Sequence, residues 1–261
     1  MIESLHSPHI ARVKALLGSK GAKERREQGL FIAEGVQCAR EALSSTHGPE
    51  LKILYATESG LAKISELDLN GVEIVEVSEA VMKAMSDTVT PQGLISLCYK
   101  PESDISELIA TGKSTFIYLY QIQDPGNAGT ILRTADAMGI SAVITSPDSV
   151  DMYSPKVVRS TAGSLWHLPV YEGVDFAQLD NQFPTLQKFL LSSHAKTSIL
   201  DLSIPGDCIA IFGNEARGVS ASDLGAAVTE ITIPMAGRAE SLNLSAAASI
   251  VMFTLSSKVA G

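Results

Sequence analysis

The sequence is short of the residues on which several protein classes depend. It holds three cysteines in 261 residues. Cys38, Cys98 and Cys208 are far apart, with no C-x-x-C and no histidine pair beside them. That argues against a disulfide framework and against a zinc site. His6, His9, His47, His167 and His194 show no metal-ligand spacing, so no metal is expected. No apolar run reaches the roughly 20 residues of a membrane span, and no basic-then-apolar leader opens the chain. The expectation is a soluble, cytoplasmic protein with no membrane partner. Tandem repeats and low-complexity tracts are missing. So is the G-x-G-x-x-G of an ordinary dinucleotide-binding fold. Basic charge is scarce as well: 20 Lys and Arg stand against 29 Asp and Glu, a net charge of −9. This excludes a surface coated with nucleic-acid-binding charge, though not a local patch.

One such patch is present. Arg12, Lys14, Lys20, Lys23, Arg25 and Arg26 lie between Ile10 and Leu30, against only Glu24 and Glu27, a local balance of +4. The plain alternative is a solvated helix face.

Hydrophobic residues make up 45% of the chain, enough to bury one large core or two smaller ones. Ser7-Pro8 predicts an N-cap and first helical residue, with a helix to about Leu17. A short basic helix spans Lys20 to Gln28. Strands are predicted at Leu30–Ala33, Lys52–Ala56, Val72–Val77 and Gly93–Tyr99, separated by helices opening at Gly35, near Leu61 to Leu67, and after Ser78. Lys100 to Asp104 reads as a linker, with a short helix at 105–110. A second alternating series follows. Its strands are Phe116–Tyr120, Ala142–Thr145, Leu168–Tyr171, Lys188–Ser192, Cys208–Phe212 and Thr229–Ile233. Its helices are Thr130–Met138 (stopped by Gly139), Ser154 to about Gly163, Phe176–Gln182, Ala221–Val228 and Leu244–Lys258. Strands alternating with helices predict an α/β protein. The expected domains are 1–104 and 105–261. The last helix is apolar or small on nearly every side, so it should be buried in the domain or against a partner. Thr111-Gly-Lys-Ser-Thr115 looks like the tail of a phosphate-binding loop. However, Glu107 stands where the first glycine is needed, and a strand comes next instead of a helix.

Three junctions at carboxyl ends of strands are built alike. They are Asp124-Pro-Gly-Asn-Ala-Gly-Thr-Ile-Leu-Arg133, Phe212-Gly-Asn-Glu-Ala-Arg-Gly218, and Ile233 to Asn243. Each has glycines that permit close backbone approach and polar residues where open parallel sheets bind ligands. Together they suggest one glycine-lined site. Individually, each residue has a plainer reading. Asn127 and Ser241 or Asn243 serve as helix caps in that reading, Arg133 is a surface residue, Glu215 offsets a helix dipole or pairs with Arg217, and Trp166 is core.

In order and spacing, DPGNAGTILRTADAMG, IAIFGNEARGVS and IPMAGRAESLNLSAAASI resemble the signature motifs of the SpoU (TrmH-type) RNA 2′-O-ribose methyltransferases of the SPOUT superfamily. The segment Ser154 to Ser164 with Leu168-Pro-Val170 is similar to the family's intervening stretch. HSPHIARVKAL and GLFIAEGVQCAREAL resemble the amino-terminal, L30e-like substrate-binding domain of larger members. The resemblance implies an L30e-like α/β sandwich followed by a SPOUT α/β domain with a carboxyl-terminal trefoil knot. It implies S-adenosylmethionine as cofactor, a homodimer formed through the carboxyl-terminal domain, and an RNA substrate. Ribosomal RNA is favoured, because the family's tRNA enzymes usually lack the first domain. Asn127, Arg133, Glu215, Ser241 and Asn243 match the family's functional polar positions. The implied cofactor contacts are Ser193, Gly213, Asn214, Gly218, Ile233, Met235 and Leu242. Lys23, Arg25, Arg26, Lys156 and Arg159 are expected to meet RNA phosphates. The alternatives are a tRNA 2′-O-methyltransferase and a non-catalytic RNA-binding or ribosome-assembly factor with the same fold. A nucleotide hydrolase would rest on Gly112-Lys113-Ser114 alone.

Overall fold

The computed structural model describes residues 1–102, 104–204 and 206–259. It comprises two compact units, each described by itself: Met1–Pro101 with Asp151–His167, and Glu102–Val150 with Leu168–Gly261.

The first unit opens with α1 (Pro8–Leu17), whose N-cap Ser7 accepts a hydrogen bond from the His9 amide at 3.3 Å. Then come α2 (Gly21–Gln28), β1 (Leu30–Glu34), α3 (Val36–Ser44), β2 (Leu51–Ala56), α4 (Glu58–Leu61), β3 (Ile74–Glu76), α5 (Glu79–Met85) and β4 (Leu94–Tyr99). The sheet order is β1-β4-β2-β3, with β4 antiparallel to both neighbours and β2 parallel to β3. Side chains alternate across it. Ile53 and Tyr55 join a core with Ile10, Val13 and Leu16 of α1 and Val81, Met82 and Met85 of α5. Leu54 and Ala56 join a separate cluster with Ala39 and Ile64. The helix expected from Leu61 starts earlier, at Glu58, because the Thr57 hydroxyl accepts the Gly60 amide at 3.1 Å and caps it there.

The second unit is built on β5 (Thr115–Leu119), α6 (Pro125–Ala137) and β6 (Ala142–Thr145). The chain then supplies α7 (Pro155–Thr161) to the first unit. It resumes with β7 (Val170–Tyr171), α8 (Phe176–Gln182), β8 (Gln187–Leu191), β9 (Thr197–Ser198), β10 (Cys208–Phe212), α9 (Ala221–Leu224), β11 (Thr229–Thr232) and α10 (Leu244–Val259). The seven strands run in the order β7-β6-β5-β10-β8-β11-β9, all parallel. Every residue of β5, β6 and β10 is buried, as expected of parallel strands covered on both faces. One face holds Phe116, Tyr118, Ile209 and Ile211 against Phe176 and Leu179 of α8. Elsewhere in the unit, α10 packs against α6, β5 and β10. The order reverses between β5 and β10, so the loops at their carboxyl ends diverge and leave a crevice.

Local differences from the sequence reading have identifiable causes. Helix α6 begins at Pro125 rather than near Thr130, because Asp124 caps it by accepting the Asn127 amide at 2.7 Å and Pro125 fits the first turn. The run Pro125 to Gly129 is therefore helix, not loop. Helix α9 is only one turn, ended by Gly225 at φ 62°. The expected helix at 105–110 is a single 3₁₀ turn, Ile105–Glu107. The linker reading at 100–104 includes Ser103, outside the described residues. The two-residue edge strand β9 carries no periodicity that a sequence reading could detect.

The segment 151–167 lies between two of the glycine-bearing junctions in sequence but packs in the first unit. Tyr153 meets the Phe31 ring edge-on, with centroids 5.0 Å apart. Trp166 is core, as expected, but core of the first unit: its indole N–H donates to the Pro49 carbonyl at 3.0 Å. Gly48 is needed beside it, since a Cβ there would come within 2.7 Å of the Trp166 backbone. Arg25 donates through Nε to Asp151 Oδ2 at 2.8 Å, pairs with the same carboxylate through Nη2 at 2.8 Å, and donates to the Leu16 carbonyl. The side chains of Arg25 and Asp151 are 5% and 17% exposed. Removing Arg25 takes the counter-charge from Asp151, which is left with the Tyr153 amide at 2.8 Å. Arg25→Ala is therefore expected to cost about 3–5 kcal/mol. A denaturant midpoint unchanged from wild type would remove this pair from the stability of the first unit.

Candidate active site

A cleft of about 470 Å³ opens at the carboxyl edge of the parallel sheet. Three strand ends and two helix starts form it: Leu191–Ser193 after β8, Phe212–Glu215 and Gly218 after β10, Thr232, Ile233 and Met235 at the end of β11, Ser241–Leu244 and Ala247 at α10, and Asn127 on α6. All seven residues expected to contact a cofactor line it: Ser193, Gly213, Asn214, Gly218, Ile233, Met235 and Leu242. Asn127, Glu215, Ser241 and Asn243 line it as well. Arg133 does not. It is exposed on α6, and its side chain makes no hydrogen bond or ion pair among the described residues.

The polar residues form a connected chain. Asn243 Oδ1 accepts the amides of Ser245 at 2.9 Å and Ala246 at 3.3 Å, so Asn243, not Ser241, caps α10. Its Nδ2 donates to Asn127 Oδ1 at 3.2 Å. Asn127 Nδ2 in turn donates to Glu215 Oε1 at 3.4 Å. The capping of α6 belongs to Asp124, which leaves the Asn127 side-chain amide to face the cleft. Glu215 does not pair with Arg217. Its two oxygens accept the backbone amides of Gln123 at 3.2 Å and Asp124 at 3.1 Å.

Asn214, only 8% exposed, closes the β10 loop. Its Oδ1 accepts the Ala216 and Arg217 amides at 3.0 and 3.1 Å, and its Nδ2 donates to the Gln121 carbonyl at 2.8 Å. Gly213 lies so close to the returning chain that a Cβ would sit 2.5 Å from the Gly218 carbonyl carbon. Sequence reasoning does not single out Asp124 or Gln121. The Asp-Pro pair is the available signal for Asp124; nothing local marks Gln121.

The lining suits a ligand with an apolar body and several polar edges. Leu191, Phe212, Ile233, Met235, Leu242 and Ala247 provide apolar walls, and neutral amides and hydroxyls lie among them. Glu215 is the sole formally charged residue among those lining the cleft, and it is anionic. That is compatible with a cationic sulfonium centre and with S-adenosylmethionine as a whole.

Burial pushes the Cys38 and Cys208 thiols up to about 11 and raises Cys98 too, so none is a thiolate nucleophile at neutral pH. No cluster of metal-ligating side chains occurs among the described residues. The amides of Gly112 and Ser114, the part that resembles a phosphate loop, are occupied by the Asp207 carboxylate at 2.7–3.0 Å. No described helix is long and apolar enough to cross a membrane.

The basic residues have different fates. Lys23, Arg26 and Lys156 are exposed. Arg159 pairs with Asp87 at 2.9 Å with its side chain 34% exposed. Arg25 is withdrawn from the expected phosphate contacts, because its guanidinium is buried and bound to Asp151 and Leu16.

Comparison with known proteins bears on this site. Residues 114–253 match the SpoU rRNA Methylase family, and residues 8–96 match an MRM3-like substrate binding domain. The chain is 33% identical, over 89% of its length and 91% of the relative's, to the 23S rRNA (guanosine(2553)-2′-O)-methyltransferase RlmP of Bacillus subtilis. It is 27% identical, over 92% of its length and 86% of the relative's, to the 23S rRNA (uridine(2479)-2′-O)-methyltransferase of Streptomyces viridochromogenes. Among solved structures, the AdoMet-bound rRNA methyltransferase from Sinorhizobium meliloti aligns with a TM-score of 0.85 and 27% identity, over 97% of this chain and 96% of that one. The names of the two relatives carry different bases at different positions.

Asn214→Ala would leave the Ala216 and Arg217 amides without their partner, while the Gln121 carbonyl keeps its bond from Gln123 Nε2 at 3.2 Å. Both residues are exposed, so water can replace the lost acceptor, and the expected loss is about 0.5–1.5 kcal/mol for each bond. Hydrogen exchange at the Ala216 and Arg217 amides checks it. Protection equal to wild type would mean that the loop is closed by other contacts.

Proposed function

Because the chain belongs to the SpoU rRNA Methylase family, we propose that it methylates one ribose 2′-hydroxyl of a structured RNA, ribosomal RNA foremost, with S-adenosylmethionine as donor. The observation that carries this reading is the cleft itself. At one sheet edge it joins an apolar-walled pocket to the linked amides of Asn127 and Asn243, with the hydroxyl of Ser241 beside them. Bound there, the cofactor supplies a methyl carbon activated by a sulfonium.

The chain's own residues have the task of alignment. A displacement at carbon depends on the line of attack, and groups fixed in advance lower its barrier. Asn127 is fixed by Glu215 on one side and Asn243 on the other. Asn243 is fixed by the start of α10. Ser241 and the two asparagines orient donor and hydroxyl by hydrogen bonding. Gly213, Ile233 and Leu242 hold the cofactor largely through backbone groups, with Ser193, Asn214, Gly218 and Met235 around it. An arginine side chain stays protonated, so Arg133 acts by holding a neighbouring phosphate and the hydroxyl, with proton removal assisted through that phosphate.

Residues 1–104 form the substrate-binding part in this reading and 105–261 the catalytic part, its carboxyl-terminal segment drawn through a trefoil knot. Two copies form the working unit. Ala246, Ile250 and Phe253 recur at helical spacing on the exposed side of α10, with Phe253 62% exposed, and a second copy would cover them. Lys23, Arg26, Lys156 and Arg159 meet RNA phosphates. The protein works in the cytoplasm.

The test is transfer of label from isotopically labelled S-adenosylmethionine to unmodified ribosomal RNA, mapped by nuclease digestion and mass spectrometry. Label on a ribose oxygen at one position is expected; neither cofactor binding nor transfer would favour a non-catalytic RNA-binding role. Arg133→Ala is expected to abolish transfer with cofactor affinity intact, and near-normal turnover would take Arg133 out of the reaction. Replacing Lys23 and Arg26 together by Ala should weaken RNA binding and flatten its salt dependence by roughly one unit of slope per lost phosphate contact. Equal affinity at every salt concentration would exclude that surface.

A further inference from the structure

We propose that Arg217 is a phosphate-binding residue for the RNA at the rim of the cleft, and that Gln121 is the residue that positions it. This rests on the RNA-methyltransferase reading and names one part of its substrate site.

Arg217 lies in the loop that lines the cleft after β10, yet it stays outside the interior. Gly213, Asn214, Glu215 and Gly218 line the cavity, and Arg217 does not. Its side chain is exposed and has no carboxylate partner among the described residues. Glu215, two residues earlier, spends its oxygens on the Gln123 and Asp124 amides. The group that holds the guanidinium is neutral: Arg217 Nη2 donates to Gln121 Oε1 at 3.1 Å. A neutral acceptor fixes the orientation and leaves the full positive charge in place. The remaining N–H groups form the planar fork that matches an oxyanion. The loop does not need this contact to close. Asn214 Oδ1 already binds the Arg217 amide, and the Gly218 amide donates to the Asn214 carbonyl at 2.8 Å.

Gln121 itself is held at a cost. Its φ is 49°, in the left-handed region where residues with a Cβ are disfavoured. Its amide donates to Ser146 Oγ at 2.7 Å, and its carbonyl accepts from Asn214 Nδ2 at 2.8 Å and Gln123 Nε2 at 3.2 Å. Glycine would satisfy all three of these backbone bonds without strain. The one thing that glutamine adds is the side-chain oxygen aimed at Arg217. A position outside the cleft points to a phosphate of the RNA rather than to the carboxylate of a cofactor lodged inside.

The test compares wild type, Arg217→Ala and Gln121→Gly. An unmodified ribosomal RNA transcript is titrated over a salt series, S-adenosylmethionine affinity and thermal midpoint are measured beside it, and label transfer by the wild type runs in parallel. Arg217→Ala is expected to weaken RNA binding about tenfold at low salt and to lower the salt slope by about one, with cofactor affinity unchanged. Gln121→Gly is expected to weaken RNA binding by less, while its thermal midpoint stays level or rises. A purely structural Gln121 would leave RNA affinity unmoved. RNA affinity and slope retained in Arg217→Ala overturn the proposal, as does a loss confined to the cofactor, which would assign the guanidinium to the cofactor's carboxylate. If the wild type transfers label and Arg217→Ala keeps its slope, only this proposal fails. If the wild type binds no RNA and transfers no label, the reading it rests on fails with it.

Discussion

A parallel sheet leaves donors unpaired where its strands run out into loops, and the site depends on how those donors are satisfied. The chain uses its own polar side chains. Asp124 takes an amide of α6, Asn214 two amides of the β10 loop, Glu215 the amides of Gln123 and Asp124, and Asn243 those at the start of α10. Each acceptor locks one junction, and Glu215, Asn127 and Asn243 tie the β10 loop to the starts of α6 and α10. The result is a set of polar groups whose orientations are fixed before any ligand arrives. This is the condition under which fixed dipoles act on a reacting centre without first reorganising. The same device closes off a competing chemistry at the far end of β10, where Asp207 occupies the amides that would otherwise cradle a phosphate.

Much of this was legible in the sequence because the signals are local. β-branched runs marked the strands of the parallel sheet, and Ser7-Pro8 and Ser78 marked helix starts. Three glycine-bearing junctions at strand ends suggested a shared cleft, and residues of all three line one, though Asn127 alone from the first. The start of α6 misleads for a local reason too. Pro, Gly, Asn and Gly in near succession look like a turn, but Asp124 followed by Pro125 is also a cap and first helical residue, and that signal prevailed.

The illegible part depends on distant partners. Arg25 and Arg26 are neighbours in one basic run. One is buried against Asp151, 126 positions away, and the other is exposed. Nothing in the charge pattern separates them. Likewise, the roles of Gln121 and Asn214 come from a contact across 93 positions that only the folded sheet creates. Residues 151–167 carry a motif-like stretch beside the catalytic signatures, yet their aromatic side chains complete the core of the other unit. A sequence reading assigns a segment to its neighbours along the chain, whereas burial assigns it to whichever apolar surface lacks cover.

That last arrangement bears on the order of events during synthesis. Phe31 leaves the ribosome early, but Tyr153 and Trp166, whose rings lie 5.0 and 6.2 Å from it, emerge more than a hundred residues later. At ~5–20 residues per second, that face of the nascent first unit waits on the order of ten seconds for its cover. During that interval α3 already packs on β1, but Phe31 lacks the Tyr153 and Trp166 rings that lie against it in the finished unit, and β5, α6 and β6 must emerge before they arrive. The first unit is first in sequence but cannot be finished until part of the second has been made, so a holding chaperone has most to offer this chain midway through translation.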